Sequence, residues 1–96
     1  MSLTRIVKLS ILPSKHMSFE QFFGEKRIVI LAFEGCKHVE LLKSSGDIYF
    51  TYSIWDDETS LNAYRNSAPF DEIWSKTKTF FSGKPEAWSL DKIIYE

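Results

Sequence analysis

The sequence predicts an α+β fold whose elements follow one another in the order β-α-β-β-α-β. Three observations predict this order: four stretches rich in β-forming residues, an amphipathic helical stripe over residues 70–81, and glycine or proline at several junctions. A chain of 96 residues lies at the small end of what folds alone. We therefore expect one domain over residues 1–96 with a thin core, which oligomerisation would stabilise by burying further surface.

The chain begins with a predicted strand and a predicted helix. Residues 4–12 are rich in Ile, Val and Leu, and Pro13 ends this strand because proline cannot donate to a sheet ladder. Ser18, with Gln21 three residues later, forms a capping-box pattern, which predicts a helix over residues 18–33.

The segment RIVILAF, residues 27–33, is compatible with two structures. Its composition suits a buried strand, whereas Ile30 continues the helical spacing of the phenylalanines upstream. A helix has to tolerate Gly24, at about 1 kcal/mol, while a strand would need a turn and a further pairing partner. We expect the helix, with Gly35 as its left-handed cap.

The next two strands are predicted to form a hairpin. Cys36–Lys43 alternates in character, residues 44–47 supply turn-forming residues, and Ile48–Trp55 is dense in β-forming residues. Period-two alternation divides the side chains of the third strand into two sets: Tyr49, Thr51, Ser53 and Trp55 on one face, and Phe50, Tyr52 and Ile54 on the other. Both faces carry large apolar groups, so we expect a second subunit to cover the face that contains Phe50, Tyr52 and Ile54.

Two helical segments and a strand complete the chain. Asp56 or Asp57 is placed to cap the first segment, and Pro69 fits the first turn of the second. The apolar stripe of the second segment has helical spacing: Phe70, Ile73, Trp74, Thr77, Phe80 and Phe81. With a last strand over residues 88–95, the order is the ferredoxin-like arrangement with an antiparallel sheet.

Composition excludes several classes of function. The net charge is −1 with acids and bases interspersed, which does not predict binding to nucleic acid or to an anionic membrane. Residues 48–57 carry aromatics but no Lys or Arg, unlike the sheet surfaces that bind RNA. No apolar run approaches the ~20 residues that span a membrane, and the N-terminus lacks a signal-peptide pattern. We expect a soluble cytoplasmic protein.

The sequence gives no indication of a metal site or of nucleophilic catalysis. His16 and His38 lie far apart and have no further ligands at suitable spacing. Cys36, the single cysteine, follows Gly35, a position where packing is commoner than reactivity. We expect no metal and no cofactor.

Aromatic residues provide the strongest functional signal, since they make up 16% of the chain. Tyr49, Trp55, Tyr64, Phe70 and Trp74 are candidates for a ligand pocket, although they could equally form core. Buried Trp55 and Tyr64 would need polar partners, which Thr51, Ser53 and Asn62 could supply. His38 on strand two could also point into the pocket, although an exposed position suits it as well.

Four short stretches occur in an order and spacing that resemble a known family. They are residues 33–36 (FEGC), 51–55 (TYSIW), 64–67 (YRNS) and 85–88 (PEAW). Over residues 4–94 the chain resembles the antibiotic biosynthesis monooxygenase domains of the dimeric α+β barrel superfamily, which include quinol monooxygenase-like proteins. The resemblance implies a homodimer in which two sheets face each other to form a barrel.

The resemblance also implies a chemistry. Oxygenases of this family act without metal, flavin or haem on electron-rich polyphenols, with molecular oxygen as the second substrate. Trp55 matches the tryptophan that the family places in its pocket, and Tyr64 and Asn62 would orient the substrate oxygens. These three are the expected catalytic residues, with Tyr49, Thr51, Ser53, Phe70, Trp74 and His38 binding substrate.

Three positions depart from the family's patterns. Thr51 stands where oxygenases of the polyketide-quinone type have an asparagine, and Trp74 stands where the haem-degrading branch has a histidine. No asparagine occurs near Val7 on strand one, where that branch has another. Haem degradation is therefore not expected.

Three functions remain after these comparisons of residue types. The first is a cofactor-independent monooxygenase that oxidises a quinol or small polyphenol. The alternative is a non-catalytic dimeric ligand-binding or stress-response module, and the third is a structural interaction domain whose own side chains fill the pocket. No general base can be placed in the pocket from the sequence, which favours the alternative.

Overall fold

The computed structural model describes residues 2–95, which form four β-strands and three α-helices. In chain order these are β1 (Leu3–Ser10), α1 (His16–Leu31), β2 (Cys36–Lys43), β3 (Ile48–Trp55), α2 (Glu58–Arg65), α3 (Ala68–Lys78) and β4 (Glu86–Asp91). A 3-10 turn over Pro13–Lys15 leads directly into α1.

The four strands pair into one antiparallel sheet in the order β2-β3-β1-β4. The chain crosses from β1 to β2 through α1, and from β3 to β4 through α2 and α3. The helices pack against one face of the sheet, here called the inner face, which contains Trp55 and Leu9. This arrangement confirms the predicted ferredoxin-like fold class.

Helix α1 settles the ambiguity of residues 27–33, because the helix continues through to Leu31. Ile28 and Val29 are 70% and 39% exposed, so β-forming residues on the solvent side of the helix gave this segment its strand-like composition. The predicted capping box is wrong: Ser18 lies inside the helix, and the N-cap is Lys15 without a side-chain bond. The 3-10 turn that begins at the proline carries the chain into helical geometry earlier than the serine.

The caps of the other helices agree with their sequence signals. The Asp57 carboxylate accepts a hydrogen bond from the backbone N–H of Ser60 at 2.8 Å, and Ser67 caps α3 through the N–H of Phe70. The apolar stripe continues past the helix: α3 ends at Lys78, before the last two aromatic residues of the stripe.

Strand β4 begins and ends earlier than the 88–95 that the sequence predicts. Its only pairing partner in residues 2–95 is β1, and Asp91 already pairs with Leu3 at the start of that strand. Beyond this pair no strand is available to receive the backbone. Ile93, Ile94 and Tyr95 are accordingly 69%, 77% and 89% exposed.

The outer face of the sheet has no helix over it among the described residues. Phe50, Tyr52 and Ile54 lie there, as the alternation predicts, on the face opposite the buried Tyr49, Ser53 and Trp55. Trp88 and Leu90 of β4 add to this surface and are 41% and 44% exposed. None of the helices in residues 2–95 combines the length and apolar character needed to cross a membrane.

Candidate functional site

A cavity of about 350 Å³ lies between the inner face of the sheet and the three helices. Its volume falls in the range of small-molecule sites, and its walls are mainly aliphatic and aromatic. The strands β1 and β3 supply its floor, and Pro85, Glu86 and Ala87 line it where the chain enters β4. The cavity suits a flat, largely apolar molecule of moderate size.

Trp55, the last residue of β3, contributes a buried indole that is 1% exposed. Its Nε1 donates a hydrogen bond of 3.0 Å to Oγ of Ser53, two residues earlier on the same face of the strand. This bond satisfies the one polar atom of the indole. Trp55 therefore contributes ring surface to the cavity, with its N–H already engaged.

Helix α2 places Tyr64 directly against Trp55. The two rings stack with centroids 5.4 Å apart and planes inclined by 21°, and Phe33 and Phe70 contact Tyr64 edge-on. Burial raises the pKa of the Tyr64 hydroxyl above its ordinary value, and Cys36, once ionised at high pH, would add to the rise. Tyr64 consequently keeps its proton at neutral pH, so it can donate a hydrogen bond and cannot serve as the base.

Hydroxyl groups supply the polar part of the cavity floor. Thr51 and Ser53 both line the cavity from β3, and Ser53 is 8% exposed. Since the Ser53 oxygen already accepts from Trp55, its own O–H is free to donate to a ligand. Together with Tyr64, these groups could bind the oxygens of a phenol or quinone.

The charged residues of the lining are Arg5, Arg65 and Glu86. Arg5 extends from the inner face of β1, and Arg65 is the last residue of α2. Arg65 is exposed and Arg5 is half-buried, whereas Glu86 pairs with Lys8 and so projects from the outer face of the sheet. The two guanidiniums lie toward solvent, and the buried residues Ser53 and Tyr64 lie deeper. The cavity thus has a neutral interior and a charged rim.

The structure brings six of the nine sequence-predicted site residues to this cavity: Thr51, Ser53, Trp55, Tyr64, Phe70 and Trp74. Tyr49 does not line it, because its fully buried ring packs in a separate core cluster and its hydroxyl donates to Glu20. Asn62 is also absent from the lining. His38 lies on the outer face of the sheet, where its ring meets Tyr52 and its Nε2 lies 3.4 Å from Glu40.

Sequence reasoning missed the charged rim. Arg5 had a usable signal, since it alternates with Val7 and Leu9 and so places a charge on the apolar face of β1. Arg65 had none, because its position depends on how α2 docks.

No group of three or more His, Cys, Asp or Glu side chains in residues 2–95 is arranged to hold a metal ion. The Cys36 thiol is half-buried, and burial raises its pKa above the ordinary value. It therefore stays protonated at neutral pH.

Comparison with known proteins places the chain within one family. Residues 2–75 match the sequence profile of the antibiotic biosynthesis monooxygenase family. A search of curated proteins gave no match.

Solved structures share the fold at low sequence identity. A conserved protein from Methanosarcina mazei superposes with a TM-score of 0.90 at 21% identity, covering 97% of this chain and 94% of its own. A protein from Bordetella bronchiseptica, assigned as an antibiotic biosynthesis monooxygenase, superposes with a TM-score of 0.88 at 21% identity, covering 97% of this chain and 98% of its own. A protein from Caulobacter crescentus with the same assignment superposes with a TM-score of 0.88 at 19% identity, covering 97% of this chain and 91% of its own.

Proposed function

Because the chain belongs to the antibiotic biosynthesis monooxygenase family, we propose that it oxidises a quinol or small polyphenol with molecular oxygen, in the cavity beside Trp55. Membership of the family supports a monooxygenase; the substrate class is our inference from the cavity. The observation that carries it is the combination of stacked aromatic walls with hydroxyl groups at Ser53, Thr51 and Tyr64. These surfaces complement a flat ring that bears oxygen substituents.

The reaction requires little of the protein beyond binding and electrostatics. An electron-rich phenolate can transfer an electron to oxygen directly, so favouring the phenolate and excluding water are the main tasks. For naphthalene-1,4-diol, one oxygen atom enters the ring to give 2-hydroxy-1,4-naphthoquinone and the other leaves as water, with all four electrons supplied by the substrate. The Tyr64 hydroxyl, held in its protonated form, would donate a hydrogen bond to the phenolate oxygen.

Oxygen-18 labelling at pH 7 tests the proposal, with the rate in the absence of protein subtracted as background. The parent protein should accelerate formation of 2-hydroxy-1,4-naphthoquinone from naphthalene-1,4-diol and incorporate one labelled atom. Tyr64→Phe should lower the rate above background about 10²-fold, as for loss of an oxyanion donor. Trp55→Phe should lower it about tenfold by loosening the position of the ring.

Matched substitutions outside the cavity provide the controls. Tyr52→Phe and Trp88→Phe remove the same atoms from the outer face of the sheet and should retain the parental rate. If the cavity variants also retain it, or if the product carries no label, the protein does not carry out this monooxygenation.

A ligand-binding module is the second candidate, and one observation favours it. The buried part of the lining contains hydroxyl groups and no carboxylate or imidazole, and the raised pKa of Tyr64 removes it as a base. An increase in melting temperature with naphthalene-1,4-diol under argon, without oxygen uptake in air, would support this alternative.

We further propose that the protein is a homodimer in which the outer faces of two sheets meet. The support is the row formed by Ile6, Tyr52 and Trp88 across three strands, all apolar or aromatic and all partly exposed in the single chain. An exposed apolar surface of this kind is typical of subunit interfaces. Analytical ultracentrifugation at micromolar concentration tests it, and a monomer would contradict it.

A further inference from the structure

The rim of the cavity holds two arginines that have no anionic partner among residues 2–95. None of the ion pairs recorded there includes Arg5 or Arg65. Glu86 also borders the cavity, but it pairs with Lys8 on β1, so its side chain projects from the outer face of the sheet with Trp88 and Leu90. The two guanidiniums therefore leave the rim positively charged.

Arg5 is held toward the edge strand β4 by its neighbours in the sheet. It pairs with Ser53 on β3 and with Ser89 on β4, and its Nη1 donates a hydrogen bond of 3.0 Å to the Ser89 Oγ. The serine fixes the side chain without neutralising it. A guanidinium carries five N–H donors, so most of those of Arg5 remain for a ligand.

Burial and the neighbouring Arg65 destabilise the charged form of Arg5. Partial burial lowers the pKa of Arg5 from its ordinary value, and the charge of Arg65 lowers it further. A bound anion would reverse both effects, since it would replace lost hydration and screen the repulsion. Such a site favours anionic ligands even though the rest of the lining is apolar.

We propose that the ligand of this cavity is an aromatic acid, whose ring lies among Trp55, Tyr64 and Phe70 and whose carboxylate binds at Arg5 and Arg65. The planar fork of a guanidinium matches a carboxylate, and the positive charge of the rim complements its negative charge. A volume of about 350 Å³ accommodates a bicyclic ring with one such substituent. The inference rests on the proposed function for the oxygenated ring, and it concerns binding alone.

The test measures binding under argon with 1-hydroxy-2-naphthoate and its methyl ester, which differ in charge and share the ring. Titration calorimetry with the parent protein should give a dissociation constant about tenfold to a hundredfold lower for the acid. Raising the NaCl concentration should weaken binding of the acid and leave binding of the ester unchanged. Neither measurement requires a variant.

Variants of the rim then locate the effect. Arg5→Gln should remove most of the preference for the acid, and Arg5→Lys should retain part of that preference. Arg65→Gln should remove less of it, because the Arg65 side chain is exposed. Lys78→Gln removes a cation outside the cavity and should bind both probes as the parent does.

The outcomes separate this inference from the proposed function. Equal binding of acid and ester, or a preference that survives Arg5→Gln and Arg65→Gln in a folded protein, would overturn the carboxylate site. Binding of neither probe would overturn it as well. Selective binding of the acid without oxidation of any dihydroxy substrate in air would support the site and contradict the monooxygenase.

Discussion

Gly35 allows a quantitative test of how the loop after α1 positions the site. Its φ is +85°, and a Cβ built there would lie 2.3 Å from Oγ and 2.5 Å from Cβ of Ser60 on α2. Its carbonyl accepts a hydrogen bond of 2.7 Å from the backbone N–H of Asp56, the residue after Trp55. The absence of a side chain at Gly35 therefore lets α2 dock close to the end of β3.

Gly35→Ala should destabilise the protein through two separable effects. The left-handed backbone costs a non-glycine residue about 1–2 kcal/mol, and the clash with Ser60 adds about 1–3 kcal/mol as overpacking. We expect the free energy of unfolding to fall by about 2–5 kcal/mol in total. Urea unfolding at one fixed protein concentration measures it, since an oligomer's stability depends on concentration.

Gly46 provides the matched control because it separates strain from clash. Its φ is +97°, and a Cβ there would have nothing within 4 Å. Gly46→Ala should therefore cost only the backbone strain of about 1–2 kcal/mol. In the Gly35→Ala background, Ser60→Gly should restore most of the stability that the clash removes, minus about 1 kcal/mol for the lower helix propensity of glycine. Equal losses for the two glycine variants, or no recovery in the double variant, would refute the close approach of α2.

Two further predictions concern regions outside the cavity. The hydrogen bond from Tyr49 lowers the pKa of Glu20 below its ordinary value of 4.5. The bond therefore contributes stability that is present above pH 4.5 and is lost as the pH falls through the pKa of the folded state. Tyr49→Phe should raise the pKa of Glu20 in a carboxyl NMR titration, and an unchanged value would contradict the assignment. On the outer face, Ile54→Asp should shift the sedimentation of the protein from dimer toward monomer. Met17→Glu, at a site that is 85% exposed, should leave the dimer intact. A dimer that persists in Ile54→Asp would place the interface elsewhere.

Strand pairing and helix docking explain where the sequence was informative and where it was not. Local signals placed the cap of α2 at Asp56 or Asp57 and the first turn of α3 at Pro69, because each signal acts within one turn of its own helix. The end of β4 could not be read locally, since it is set by where β1 begins. Ile28 and Val29 show the same limit, because their β-propensity has no effect once the surrounding residues pack as a helix.

The candidate site was partly readable for the same reason. Period two in β3 is a local property, and it placed Thr51, Ser53 and Trp55 on one face of the strand. It also placed Tyr49 on that face, but the ring lies in a separate core cluster, which only the packing of α1 determines. The position of Arg65 likewise depends on the docking of α2.

The cavity itself follows from the sizes of the side chains on the inner face. In the middle of the sheet, the residues that flank Arg5 and Val7 are all small, and they are Thr51, Ser53, Ala87 and Ser89. At the two ends of the same face of β3, Tyr49 and Trp55 are large and fully buried. A core optimised for stability would fill such a space, because unfilled volume lowers the free energy of unfolding. Small residues framed by large aromatic ones, beside an arginine with no ion-pair partner among residues 2–95, are better explained by binding than by folding.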